Sequence, residues 1–267
     1  MTFGIAALQT VSGPDPVANL AVAGDLIAAA ADAGARLVAL PEYFALMSGD
    51  ETARLRAAER DGEGPIQDFL REAAARRGVW IVGGTLPLVA DAPGKMRNVA
   101  LVYDDRGERV ARYDKIHLFD FARGDERYAE SDAIEAGERV TCFDAPCGRV
   151  GLAVCYDLRF PELFRAMGEV DLIVLPAAFT YTTGQAHWEV LLRARAIENQ
   201  CYLLAAAQGG RHPHGRRTWG HSMIIDPWGD VLARRAEGTG AAMAVLDPAR
   251  IAEIRQSLPA LRHRRLP

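Results

Sequence analysis

The chain has 267 residues, 49% of them hydrophobic and 25% charged, with a formal net charge of −4. That is an ordinary globular balance, in a chain long enough to bury a core without disulfide or metal staples. The acidic sign argues against general nucleic-acid binding, and no apolar run approaches the roughly 20 residues of a membrane span.

In chain order, residues 3–9 suit a first strand. Residues 16–33 are alanine-rich and end at Gly34, a helix stop. Residues 36–40 form a second strand that delivers Pro41 and Glu42 at its end. Residues 65–77 open on proline and close before Gly78, a second helix. Residues 79–89, 98–104 and 108–119 read as successive strands, with a hairpin turn at 105–107. In the second half, 149–155 is a strand, 161–167 a helix and 171–179 a strand. Residues 187–200 are a helix, with Trp188, Leu191, Leu192 and Arg195 at helical spacing. Strands at 201–208, 222–227 and 241–247 and a last helix at 248–257 complete the pattern. No linker rich in Pro, Gly or Ser divides the chain, so residues 1–267 read as one α/β domain with helices covering sheets.

The four cysteines form no C-x-x-C pair, and the N-terminus lacks the basic region of a signal peptide. Reduced thiols in a cytoplasmic protein are the simplest expectation.

Residues 150–162, VGLAVCYDLRFPE, carry the strongest chemical signal. An apolar run ends in Cys155 and the chain turns polar at once. A cysteine there is often a small core hydrophobe. Here Tyr156, Asp157 and Arg159 follow directly, and Pro161 suits the first turn of a helix. A strand-to-helix turn presents its side chain at the sheet edge where open α/β sheets place ligands. Its backbone N–H groups can face a developing oxyanion.

A thiol nucleophile needs activation, because free cysteine is mostly protonated at neutral pH. Glu42, in ALPEYF, sits just past an apolar strand, where desolvation lifts a carboxyl pKa toward the working range. Lys115, in RYDKIHLFD, is a cation able to stabilise both thiolate and oxyanion. Taken singly, Glu42 reads equally as a loop carboxylate and Lys115 as a solvated charge. His221 is the rival base of a Cys–His hydrolase, or else a brace for the strand it precedes. His212 and His214 do not have zinc-ligand spacing, and no metal site is expected. No G-x-G-x-x-G or Walker loop points to a nucleotide cofactor. Trp188 reads as core, Glu189 as outside the site, and Cys142, Cys147 and Cys201 as structural.

The blocks LVALPEYF, YDKIHLFD and GLAVCYDLRFPELFR occur in that order, followed by TGQAHWEVLLRARAIENQCYLLAAAQGG and GHSMIIDPWG. Together they resemble the carbon–nitrogen hydrolase (nitrilase) superfamily over nearly the whole chain. The resemblance implies a four-layer α-β-β-α sandwich of the nitrilase type and a Glu–Lys–Cys triad. On that pattern Glu42 is the general base, Lys115 the oxyanion-binding cation and Cys155 the nucleophile. A second glutamate belongs in the site; in ERYAESDAIEAG the matching position is Glu130, with Glu126 a nearby competitor. The backbone N–H of Tyr156 is the implied second oxyanion donor, and Tyr43 and Phe44 are candidate pocket wall.

No metal or organic cofactor is implied. The blocks look most like the branch holding deaminated glutathione amidases and omega-amidases, which cleave a terminal amide from a small carboxylate-bearing molecule. The expected partner is therefore a small-molecule amide, with no nucleic acid or membrane. The resemblance also implies a homodimer or larger homo-oligomer. Residues 210–217, GRHPHGRR, concentrate Arg211, Arg216 and Arg217, whose guanidinium forks suit substrate carboxylates. A solvated basic loop or a subunit contact is the alternative.

Overall fold

Local signals set the helices. Asp15 accepts from the N–H groups of Val17 and Ala18 and so starts α1 (Pro16–Asp32) behind β1 (Phe3–Gln9). Asn19, Ala23, Ile27 and Ala30 are its buried stripe, at the spacing of one helix face. The computed structural model describes residues 1–124 and 126–266, apart from the side chains of Glu51 and Glu126. After α1 come β2 (Leu37–Ala39), a short α2 (Glu51–Arg56) and α3 (Pro65–Arg77), which Gly78 closes in the left-handed conformation. β3 (Trp80–Val82), β4 (Leu86–Val89), β5 (Met96–Tyr103) and β6 (Arg109–Asp114) complete the first half.

A hairpin of β7 (Asp120–Arg123) and β8 (Glu126–Ala129) follows, running into α4 (Glu130–Ala133). Next are β9 (Cys142–Ala145), β10 (Gly148–Leu152), α5 (Pro161–Ala166), β11 (Leu172–Ala177), α6 (Tyr181–Asn199) and β12 (Tyr202–Ala207). A second hairpin pairs β13 (Gly209–Arg211) with β14 (Arg217–Trp219). The chain ends with β15 (Ser222–Ile225), β16 (Val231–Arg235), β17 (Gly240–Leu246) and α7 (Pro248–Ser257).

Two mixed sheets result. One has the order β17-β1-β2-β3-β5-β4, with β6 also on β5; the other is β16-β15-β12-β11-β10-β9. Strand alternation builds the layers. Ile5 and Ala7 of β1, with Leu37 and Ala39 of β2, point into the core shared with Leu172, Val174 and Leu204 of the second sheet. Ala6, Leu8 and Val38 point the other way, onto Ile27 of α1 and Leu70 of α3. With α5 and α6 on the far side of the second sheet, the four α-β-β-α layers are those expected. Burying a side chain such as Ile27 contributes about 1.5–3 kcal/mol.

Strands β1, β2 and β3 are mutually parallel, as are β10, β11 and β12. The chain segments that leave β2, β10, β11 and β12 carry Glu42, Cys155, Ala178 and Gln208. A bridge between Thr10 and Gln208 links the two sheets at this end.

The elements differ from the sequence expectation in several places. The run 79–89 is broken into β3 and β4 by Gly83 and Gly84. Gly84 has φ 56°, and a Cβ there would lie 2.1 Å from the Pro41 oxygen, so only glycine fits beside the segment leading to Glu42. The strand read to 119 stops at Asp114, and the one read to 155 stops at Leu152. The helix read from 187 begins at Tyr181, capped by Thr180. The loop 210–217 is a hairpin. Strands β7, β8, β9 and β16 and helices α2 and α4 had no clear periodic signal, being only 4–6 residues each.

Candidate active site

Cys155 lies three residues beyond β10 and opens a 3₁₀ turn, Cys155–Arg159, ahead of α5. Its φ is 50°, a left-handed conformation that costs an L residue about 1–2 kcal/mol. Such strain marks side chains held out of a strand end for chemistry. The residue is 8% exposed.

Glu42 is 1% exposed, and both carboxylate oxygens are engaged. Oε1 accepts from Lys115 Nζ at 2.9 Å and from Asn98 Nδ2 at 3.0 Å. Oε2 accepts from the Ala178 N–H at 2.9 Å. The charge of the same carboxylate acts on the Cys155 thiol. Tyr43 follows with φ 57°, its N–H donating to Thr85 Oγ1, which fixes the turn that carries Glu42.

Lys115 directly follows β6, and its N–H donates to the Asn98 carbonyl at 3.0 Å. Its ammonium reaches Glu130 Oε2 at 2.7 Å as well as Glu42. Glu130 opens α4 at the base of the β7–β8 hairpin; Oε2 also accepts from the Phe119 N–H at 2.9 Å, and Oε1 from the Tyr43 hydroxyl at 2.9 Å. An ammonium has three protons, and the two carboxylates engage two of them.

The electrostatics follow from two acids around one base. Burial pulls the Lys115 ammonium toward neutrality, but the Glu130 and Glu42 carboxylates outweigh it and hold its pKa well above the ordinary lysine value. Burial pushes the Glu130 carboxyl up, whereas the Lys115 charge and the hydrogen bonds to Glu130 together bring it below the usual glutamate value. Burial first, and then the charge of Glu42, raise the Cys155 thiol well above an ordinary cysteine. The thiol therefore rests protonated beside a carboxylate.

Glu42, Glu130, Cys155 and Tyr156 line one cavity. Arg159 and Arg216 line it too, and among the described residues neither guanidinium group pairs with a carboxylate. Arg159 contacts His187 Nδ1 at 3.1 Å and lies over the Phe179 and Tyr156 rings. Arg216 donates to the Ala178 carbonyl at 3.1 Å and lies 4.8 Å over the Tyr128 ring. Its Nε is buried with no hydrogen-bond partner among the described residues.

The other sequence candidates sit elsewhere. Tyr43 is turned to Glu130 rather than to the cavity, and Phe44 packs in the core against Phe69 of α3. Arg211 and Arg217 are exposed, Arg217 pairing with Glu237 and stacking on Tyr181. His221 donates from Nδ1 to the Trp219 carbonyl and stacks on its ring; no histidine lines the cavity among the described residues. Trp188 is core, and Glu189 pairs with Arg234. Glu126 starts β8, and its side chain lies outside the described residues. Sequence reading missed Asn98, Asp157 and Arg159. The last two stand within four residues of the thiol in CYDLR, which was the available signal; Asn98 had none.

Comparison with known proteins agrees with this geometry. The carbon-nitrogen hydrolase family matches residues 4–256. A deaminated glutathione amidase of Yersinia enterocolitica is 44% identical over 266 residues, covering 98% of this chain and 92% of that protein. The crystal structure of the C. elegans NitFhit protein superposes with a TM-score of 0.88 at 38% identity, over 99% of this chain and 65% of that one. Saccharomyces cerevisiae Nit3, of the nitrilase superfamily, gives 0.88 at 30% identity, over 99% and 97%.

Proposed function

The chain belongs to the carbon–nitrogen hydrolase family, and from that premise we propose that it is an amidase acting on deaminated glutathione through a thioester on Cys155. One observation carries the reading: a single ammonium, Lys115, lies 2.9 Å from Glu42 and 2.7 Å from Glu130, the two carboxylates that line one cavity with Cys155.

Glu42 Oε2 receives the thiol proton, because Oε1 is already occupied by Lys115 and Asn98. Sulfur attacks the amide carbon as that proton leaves. The third Lys115 proton and the Tyr156 N–H hold the tetrahedral oxyanion. Glu42 returns its proton to the amide nitrogen, and ammonia departs. Water, deprotonated by Glu42, then cleaves the thioester and frees the acid and the thiol. Glu130 keeps Lys115 charged and aimed. The substrate's carboxylates face Arg159 and Arg216, whose guanidinium groups pair with no acid among the described residues.

The same reading takes residues 1–267 as one domain and the protein as cytoplasmic, in keeping with four unbridged cysteines. It takes the chain as a homodimer or larger. Val190 and Ile197, one face of α6, are exposed, as is Trp228 close by, an apolar surface suited to a second copy.

Ammonia release from deaminated glutathione, α-ketoglutaramate and α-ketosuccinamate, measured side by side, tests the substrate. The highest kcat/KM is expected for deaminated glutathione. A higher value for either short keto-acid amide moves the chain to the omega-amidase reading.

A further inference from the structure

A wholly buried carboxylate next to the site has no part in the scheme above. Asp157 lies two residues beyond the thiol, in the 3₁₀ turn, with no exposed surface. Its Oδ2 accepts from the Tyr113 hydroxyl at 2.7 Å and from the Val154 N–H at 2.8 Å. Its Oδ1 meets the His117 N–H at 3.0 Å and the His117 Nδ1 at 2.7 Å. Four donors satisfy a carboxylate removed from water.

Where those donors come from is informative. Tyr113, in β6, and His117, just beyond it, flank Lys115. Val154 precedes Cys155, and the Asp157 N–H returns to the Val154 carbonyl at 3.0 Å. One side chain thus grips both the segment bearing the ammonium and the turn bearing the thiol. It also brackets the left-handed Cys155, a conformation that persists only where the surroundings impose it. The His117 ring stacks on Phe160 at 3.7 Å, which fixes the direction of its Nδ1.

We propose that Asp157 is a positioning residue: it holds Cys155 in its left-handed turn and sets that turn against Lys115, so that thiol and ammonium reach one carbonyl together. The inference rests on Cys155 being the nucleophile. Asparagine is no substitute. Its amide nitrogen would face a backbone N–H whichever way it turned, that of Val154 or that of His117. Tyr113→Phe is gentler, removing one donor while Val154 and His117 keep theirs.

The test measures kcat and KM for ammonia release in the parent, Asp157→Asn and Tyr113→Phe. The Cys155 that iodoacetamide labels in folded protein, counted by peptide mass spectrometry, gives the number of sites. Per labelled Cys155, kcat should fall about 10- to 100-fold in Tyr113→Phe and further in Asp157→Asn, with KM within about threefold. If Asp157→Asn does not fold, Tyr113→Phe decides alone. A parental kcat per labelled thiol in Tyr113→Phe, whatever its yield or melting temperature, overturns the positioning role. Turnover that survives complete labelling of the parent overturns the nucleophile reading instead, a separate result.

Discussion

The N–H of Ala178 donates to Oε2 of Glu42 at 2.9 Å, so a strand end of one sheet holds the carboxylate that leaves the other. With Oε1 taken by Lys115 and Asn98, Oε2 is the oxygen left to exchange a proton with Cys155. On the proposed scheme the packing of the two sheets thus sets the base, and four consequences can be measured.

Glu42→Gln removes the proton acceptor and leaves a side chain of the same size. Ammonia release should drop by about 10²- to 10⁴-fold, the range of a positioned general base. A loss below tenfold would mean that another group takes the thiol proton.

Lys115→Met leaves Glu42 and Glu130 buried against each other with no cation between them. Breaking a buried ion pair from one side costs about 3–5 kcal/mol, read as a lower urea midpoint. Adding Glu42→Gln to Lys115→Met removes one of the stranded charges, so the double variant should be more stable than the single one while remaining inactive. Equal stability would show that the two carboxylates do not share the ammonium.

The pH dependence of stability follows from the directions of the shifts. Glu130 is depressed in the fold, so its contribution is full above its unfolded value near 4.5 and is lost as pH falls through the lower folded value. Lys115 is raised, so its contribution is full below about 10.5 and is lost only as pH climbs through its higher folded value. Stability from these two groups should therefore be flat between those limits, while the raised Cys155 thiol lowers it from about pH 9.0 upward, where the unfolded chain releases that proton. Glu130→Gln should flatten the acid limb of a melting-temperature profile relative to the parent. An unchanged acid limb would remove Glu130 from the linkage.

Arg216→Ala should raise KM for a carboxylate-bearing amide by about 10- to 100-fold, the worth of a charged hydrogen bond. Arg211→Ala and Arg217→Ala, which alter exposed side chains, should leave KM within about twofold. Equal effects at all three positions would return the whole 210–217 segment to the role of a diffuse basic surface.

Much of this was legible in the sequence because the chemistry sits where patterns stop. Glu42 and Cys155 each follow an apolar run, and a polar residue at such a break is visible without coordinates. The break between β3 and β4, by contrast, falls where Gly84 passes the Pro41 carbonyl, a contact between distant segments. Glu130 was identified by motif only, since the four-residue helix it opens has no periodicity of its own. Asn98 and Asp157 act by holding other side chains, and their partners are remote in sequence. The basic segment was read as one unit. Arg216, in the loop between the strands, lines the cavity, whereas Arg211 and Arg217, paired on β13 and β14, stay outside it, and that distinction required the hairpin.

The central claim is that the Cys155 thiol waits protonated and gives its proton to Glu42 only during attack. Ultraviolet titration of thiolate, taken as the parent minus Cys155→Ser from about pH 6 to about pH 10, measures this directly. The expected difference spectrum shows no Cys155 thiolate below pH 9.0, because burial and Glu42 hold the thiol above the ordinary cysteine value. A full thiolate signal already present near neutral pH would contradict the account and put a preformed thiolate–Lys115 pair in its place.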